Sequence, residues 1–187
     1  MFYRPLTTFR ATQKGSSLIE VLVAMVVMSF GLLAMAATMV YAIQMPKLAA
    51  YRAMASNLAE MHVERIRANR VGFLNGSYDD NLSYDGTLNA VSLNDCTYPN
   101  CTASTLAVMD KAFIKNAMRR ELPAGGMRLS CDTTPCNANS VYGNLWVIWQ
   151  EPSMASSLNS ASSDNCPAEV ASFNNPRPRC LYLRFKL

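Results

Sequence analysis

Residues 14–43 read KGSSLIEVLVAMVVMSFGLLAMAATMVYAI, and this stretch decides the fold. From Val21 to Ile43 there is not one charge. A helix rises ~1.5 Å per residue, so this run reaches roughly 34 Å, enough to cross a hydrocarbon core of about 30 Å. A secretory signal peptide would carry a shorter apolar run followed by a small-residue cleavage site. The basic residues ahead of the run, Arg4, Arg10 and Lys14, place the N-terminus in the cytoplasm by the positive-inside rule. Lys47 and Arg52 follow the run, so the bias is modest. Glu20 is the anomaly. A carboxylate inside an apolar segment costs about 2.5–3.5 kcal/mol, so it either sits hydrated at the interface or awaits a cationic partner.

The rest of the chain is different in kind. Beyond Gly72 it is polar and rich in Asn, Ser, Asp and Gly. Half of the 187 residues are hydrophobic and 16% are charged, the reverse of a disordered chain. Nothing after Ile43 is long and apolar enough to span a bilayer, which excludes a polytopic membrane protein. The composition describes one greasy segment joined to one domain of ordinary size.

The formal charge of +4 belongs mainly to the N-terminus. Residues 1–15 hold three bases and no acid, and the remainder carries 14 bases against 13 acids. No basic stripe of the nucleic-acid-binding kind is present. Arg65, Arg67 and Arg70 come closest, but Glu60 and Glu64 are interleaved with them, as on a solvated helix face.

All six cysteines, Cys96, Cys101, Cys131, Cys136, Cys166 and Cys180, lie after the greasy segment. Two pairs are spaced C-x4-C in loop-like surroundings. Zinc would call for C-x2-C pairs or histidines at ligand spacing, and the single histidine, His62, lies elsewhere. Disulfides are the better reading, which places this part of the chain in an oxidising compartment. Local pairing is the simplest arrangement: Cys96–Cys101, Cys131–Cys136 and Cys166–Cys180.

The stretch Gly15-Ser16-Ser17-Leu18-Ile19-Glu20-Val21-Leu22-Val23-Ala24 resembles the processing motif of type IV prepilins and related pseudopilins. The resemblance implies cleavage after Gly15 by a prepilin peptidase on the cytoplasmic side, then methylation of the new N-terminus, Ser16. Counted from Ser16, the fifth residue is Glu20, as the family requires. The chain departs from the family at Ser16, where Phe or Met is usual. The family role of Glu20 is to pair with the terminal amine of a neighbouring subunit. Such a pair sets an axial register, because a mispaired register would leave a charge buried alone.

Along the chain, residues 1–15 read as a cleaved leader, 16–45 as a membrane and filament-core helix, and 46–187 as a periplasmic or extracellular head. Pro46 is expected to kink or loosen the helix. After it, Leu48, Tyr51, Met54, Leu58, Met61, Val63 and Ile66 recur at helical spacing, giving a helix over 46–70 with one apolar face. Residues 72–104 read as a loop, and Asp79-Asp80 within them as a solvated turn. A helix is expected over 105–121, with Leu106, Met109, Phe113, Ala117 and Met118 on one side, stopped by Leu122-Pro123-Ala124-Gly125-Gly126. Strands are expected over 127–131, 141–150 and 180–187, with Trp146 and Trp149 on opposite faces. The last is the clearest, since Leu181, Leu183, Phe185 and Leu187 alternate with Tyr182, Arg184 and Lys186. The expected fold is α+β: a long N-terminal helix packed on an antiparallel sheet, the pilin-like architecture. The order of elements in the head is similar to that of PilV-type minor pilins.

Catalysis has little support. No Ser-His-Asp, Cys-His or metal constellation is visible, and nothing in the sequence calls for a cofactor. The leading expectation is a minor pilin that primes or joins a type IV pilus, with the prepilin peptidase, other minor and major pilins and inner-membrane lipid as partners, and no nucleic acid. The implied location is the inner membrane, single-pass with the head periplasmic, and then the filament at the cell surface. A pseudopilin of a type II secretion system is the alternative. A bitopic, membrane-anchored periplasmic binding protein is a further alternative, and it would need neither Gly15 cleavage nor Glu20.

Overall fold

The computed structural model describes residues 15, 17–93, 96–97, 99–133, 136–137, 139, 142–151, 164–173 and 177–187. The chain divides into two compact units, 1–43 and 44–187. Helix α1 (Leu18–Ala68) runs through Pro46 without a break. Pro46 removes only one N–H from the ladder and strong helix formers (Met45, Leu48, Ala49, Ala50) flank it, so the helix is not broken there.

In the first unit every residue of α1 from Leu18 to Ile43 is exposed. In the second unit α1 turns amphipathic and buries Ala55, Leu58, Ala59, His62, Val63 and Ile66. Met61 stays exposed, and its expected place on the buried stripe is taken by His62.

Asn69 separates α1 from the short helix α2 (Arg70–Leu74), and its Oδ1 accepts the Gly72 N–H at 3.2 Å. Helix α3 (Ala103–Glu121) starts at Thr102, whose Oγ1 accepts from Thr105 N–H, while Thr105 Oγ1 accepts from Thr102 N–H. This reciprocal cap satisfies two otherwise orphaned amides. The buried face of α3 is Ala107, Asp110, Ala112, Ile114, Ala117 and Met118. The face expected through Leu106, Met109 and Phe113 is therefore turned by about one residue, and Phe113 is 42% exposed. The chain leaves α3 by a tight turn, with Leu122 N–H donating to Met118 C=O at 2.8 Å. A side chain on Gly125 would collide with that carbonyl, so only glycine fits.

Strands β1 (Gly126–Cys131), β2 (Tyr142–Trp149) and β3 (Arg179–Lys186) form an antiparallel sheet in the order β1-β2-β3. The register pairs Leu129 with Leu145 and Leu145 with Leu183. The face toward α1 and α3 carries Met127, Leu129, Leu145, Val147, Trp149 and Phe185, which join Leu58, Val63, Ile66, Phe73, Ile114 and Met118 in one core. Fully burying a side chain of this size is worth roughly 1.5–3 kcal/mol. Trp146, on the opposite face from Trp149, donates its indole N–H to Asn165 C=O at 2.8 Å. A smaller cluster on that face joins Tyr84, Ala124, Ile148, Val170 and Cys180.

Candidate assembly interface

Ser17 opens α1. Its carbonyl accepts from Glu20 N–H at 3.0 Å and from Val21 N–H at 3.3 Å. Glu20 thus stands in the first helical turn, where exposed amides and the helix dipole favour a carboxylate. Gly15 lies just ahead, exposed, with open space where a side chain would project. Ser16, the expected new N-terminus, lies outside the described residues. The serine and the threonine inside the apolar run are satisfied within the helix: Ser29 Oγ donates to Met25 C=O and Thr38 Oγ1 to Met35 C=O, each at 2.8 Å. The segment therefore offers an apolar surface with its serine and threonine hydroxyls already bonded, as lipid or a neighbouring apolar helix requires. By length and composition α1 suffices to cross a membrane.

The second unit is tied by three disulfides, Cys96–Cys101, Cys131–Cys136 and Cys166–Cys180, with Cα–Cα distances of 5.3, 5.2 and 5.3 Å. Asp79 approaches the Cys131–Cys136 bridge, and its Oδ2 accepts the Cys136 N–H at 3.0 Å. That trio has the spacing of metal ligands, but both sulfurs are already bonded to each other. Asp79 and Asp80 are not a solvated turn. Asp80 pairs with Lys115 at 2.5 Å, and its backbone bridges to Leu129 in both directions. Helix α3 thus clamps this part of the long loop against β1. Further along the loop, Asn116 holds both the N–H and the C=O of Val91, at 2.7 and 2.8 Å. Asp85 is exposed; the slight loss of hydration there opposes its charge, yet the N–H and hydroxyl of Thr87 and the guanidinium of Arg119 hold its carboxyl below the usual range.

Two buried polar networks escaped the sequence reading. In the first, Asp110 accepts from Arg65 Nη1 at 2.9 Å and from the Tyr78 hydroxyl at 2.6 Å. Asn69 Nδ2 donates to Tyr78 at 3.2 Å and to Ala103 C=O at 2.7 Å. Burial first, then the bond to Asp110, pushes the Tyr78 hydroxyl well up, so it remains a neutral donor. In the second, the buried Arg179 meets Asp164 at 3.0 Å and Glu151 at 3.4 Å. Asp164 also accepts the Cys180 N–H at 3.3 Å, so the ion group and the Cys166–Cys180 bridge fasten the same segment to β3. A signal for the first network was present in the sequence: Asp110 is an acid at an apolar-face position between Ala107 and Ile114.

His62 is fully buried against Tyr78, with ring centroids 6.0 Å apart. Neither ring nitrogen has a hydrogen-bond partner among the described residues. Burial, reinforced by Arg65, Lys111 and Lys115, lowers its pKa to about 3. It is a neutral packing residue with no nucleophile beside it among the described residues.

Residues 10–36 match the family described as the prokaryotic N-terminal methylation motif. The match covers the Gly15–Glu20 segment and the apolar run as far as Ala36. It supports a type IV pilin-like protein and is consistent with recognition by a prepilin peptidase. Together with the apolar helix it is consistent with anchoring in the inner membrane. No curated protein and no solved structure matches the chain.

Proposed function

We propose that this chain is a minor pilin of a type IV pilus, cut after Gly15, methylated at Ser16 and built into the filament or its priming complex. The observation that carries the reading is the motif match over 10–36, which spans Gly15 and Glu20, together with a helix that bears no charge from Val21 to Ile43 and is exposed at every residue from Leu18 to Ile43. Such a helix has no core of its own, so its apolar surface is available first to lipid and then to other pilin helices. Glu20, in the first turn of α1, is the carboxylate that this reading pairs with a neighbour's terminal amine. The large head with three disulfides favours a minor pilin, most similar to the PilV type, over the small secretion pseudopilins.

Deleting the chain separates the readings. A pilus subunit predicts loss or sharp reduction of surface filaments with secretion intact, and Glu20→Ala fails to restore them although the variant is processed. Normal filaments with secretion abolished assign the chain to a type II secretion pseudopilus.

A further inference from the structure

The two edges of the sheet are finished differently. Printed bonds on both flanks fix which backbone groups face outward. On β1, Leu129 exchanges both bonds with Asp80, and Met127 is held by Ser83 through its C=O and its N–H. Residues 80–83 therefore close that edge, and the odd residues of β1 are the outward ones. The register then makes the odd residues of β2 and β3 bond each other, so the even residues of β3 face away from the sheet. Two contacts agree with this phase. Cys180 N–H donates to Asp164 Oδ2 at 3.3 Å, and Lys186 C=O accepts from Arg67 Nη2 at 3.5 Å. Between these two caps the N–H and C=O of Tyr182 and of Arg184 face outward, and no described residue bonds them. Beside them runs a groove of about 420 Å³ lined by the apolar Val63, Leu183 and Phe185 and by charged side chains of both signs, among them Glu60, Glu64 and Arg184.

We infer that this open edge of β3 is a strand-docking site, which takes an extended segment of another subunit as a fourth strand. Alternating donors and acceptors at strand spacing are complementary to an extended peptide backbone. Charge narrows the partner. Tyr182, Arg184 and Lys186 share the exposed face of β3, and Arg184 is paired with Asp132 at 2.6 Å, so each copy leaves this face one cation in excess and a second copy pairing edge to edge would bring two such excesses together. The docked strand instead carries acidic residues on that face and small apolar residues toward the groove. Asp164 and Arg67 limit the docking window to the middle of β3. The inference rests on reading the chain as an assembly subunit, and it names the surface through which the head meets its neighbour.

The test uses the full chain in detergent micelles and two blocked heptapeptides, one alternating valine with glutamate and its twin with lysine in place of glutamate. Residue-resolved hydrogen exchange should show Tyr182 and Arg184 amides open, and Leu183 and Phe185 protected, in the chain alone. The acidic peptide should slow exchange at Tyr182 and Arg184 by about tenfold or more and leave Leu183 and Phe185 unchanged. The double variant Arg184→Glu with Lys186→Glu should reverse the peptide preference by about three- to tenfold. No added protection at Tyr182 and Arg184, or equal protection by both peptides, overturns the proposal. Protection that grows with chain concentration in the absence of peptide identifies a second copy as the occupant and also overturns it. None of these outcomes depends on cleavage at Gly15, so failure here is distinct from failure of the pilin reading.

Discussion

The Tyr78 hydroxyl donates to Asp110 Oδ2 at 2.6 Å and so joins the long loop to helix α3 across 32 residues of sequence. Arg65 reaches the other oxygen of the same carboxylate from α1. One buried carboxylate therefore holds three parts of the head together.

Asp110→Ala removes that carboxylate and leaves the Arg65 guanidinium without its partner and the Tyr78 hydroxyl without its acceptor. Breaking a buried pair from one side costs about 3–5 kcal/mol. Arg65 is about one third exposed, so the low end applies. Thermal unfolding of the full chain in detergent should show a clear drop in Tm. Asp110→Asn, which keeps an acceptor for Tyr78, should lose less. Equal Tm for wild type and Asp110→Ala would show that the network contributes nothing.

His62 makes the head sensitive to acid. Its folded pKa is lowered to about 3, while the unfolded value is near 6.5. Above pH 6.5 the residue is neutral in both states and the stability is fully present. As the pH falls the unfolded chain takes up the proton first, so stability declines between pH 6.5 and about 3. One such group contributes a slope of at most about 1.4 kcal/mol per pH unit. His62→Leu should flatten the fall in Tm across this window. An unchanged acid profile in the variant would assign the loss to other groups.

Replacing Cys166 and Cys180 together by alanine frees the segment that Asp164 and the bridge fasten to β3. The bridge spans 14 positions in sequence, against 5 for each of the others. A loop of that length is worth about 3 kcal/mol in the chain-entropy account. The double variant should lose more Tm than Cys96→Ala with Cys101→Ala. The reverse order would contradict the loop-length argument.

Much of the architecture was legible in the sequence because its signals are periodic. The charge-free run from Val21 to Ile43, the alternation through β3 and the Leu122–Gly126 stop all depend on near neighbours. The three bridges match the local pairing because Cys96–Cys101 and Cys131–Cys136 close short turns within loop-like sequence. What escaped depends on contacts distant along the chain. Met61 and His62 are adjacent on α1, and only packing against Tyr78 decides which is buried. Phe113 looks like a core residue by type, yet it lies on the surface under the Arg65 guanidinium, 4.1 Å from its ring centre. Asp79 and Asp80 read as a solvated turn because their partners, Cys136 and Lys115, are supplied by tertiary folding. The closing of β1 by residues 80–83 has no sequence pattern of its own, and that difference between the edges is what exposes the β3 site.

The central claim is that Gly15 is the last residue of a leader. The direct measurement is the N-terminal mass of the protein recovered from its native cell envelope. The account predicts a chain that has lost residues 1–15 and begins at Ser16, bearing a methyl group on its terminal amine. An intact chain beginning at Met1 would contradict it and leave a membrane-anchored head with no route into a filament.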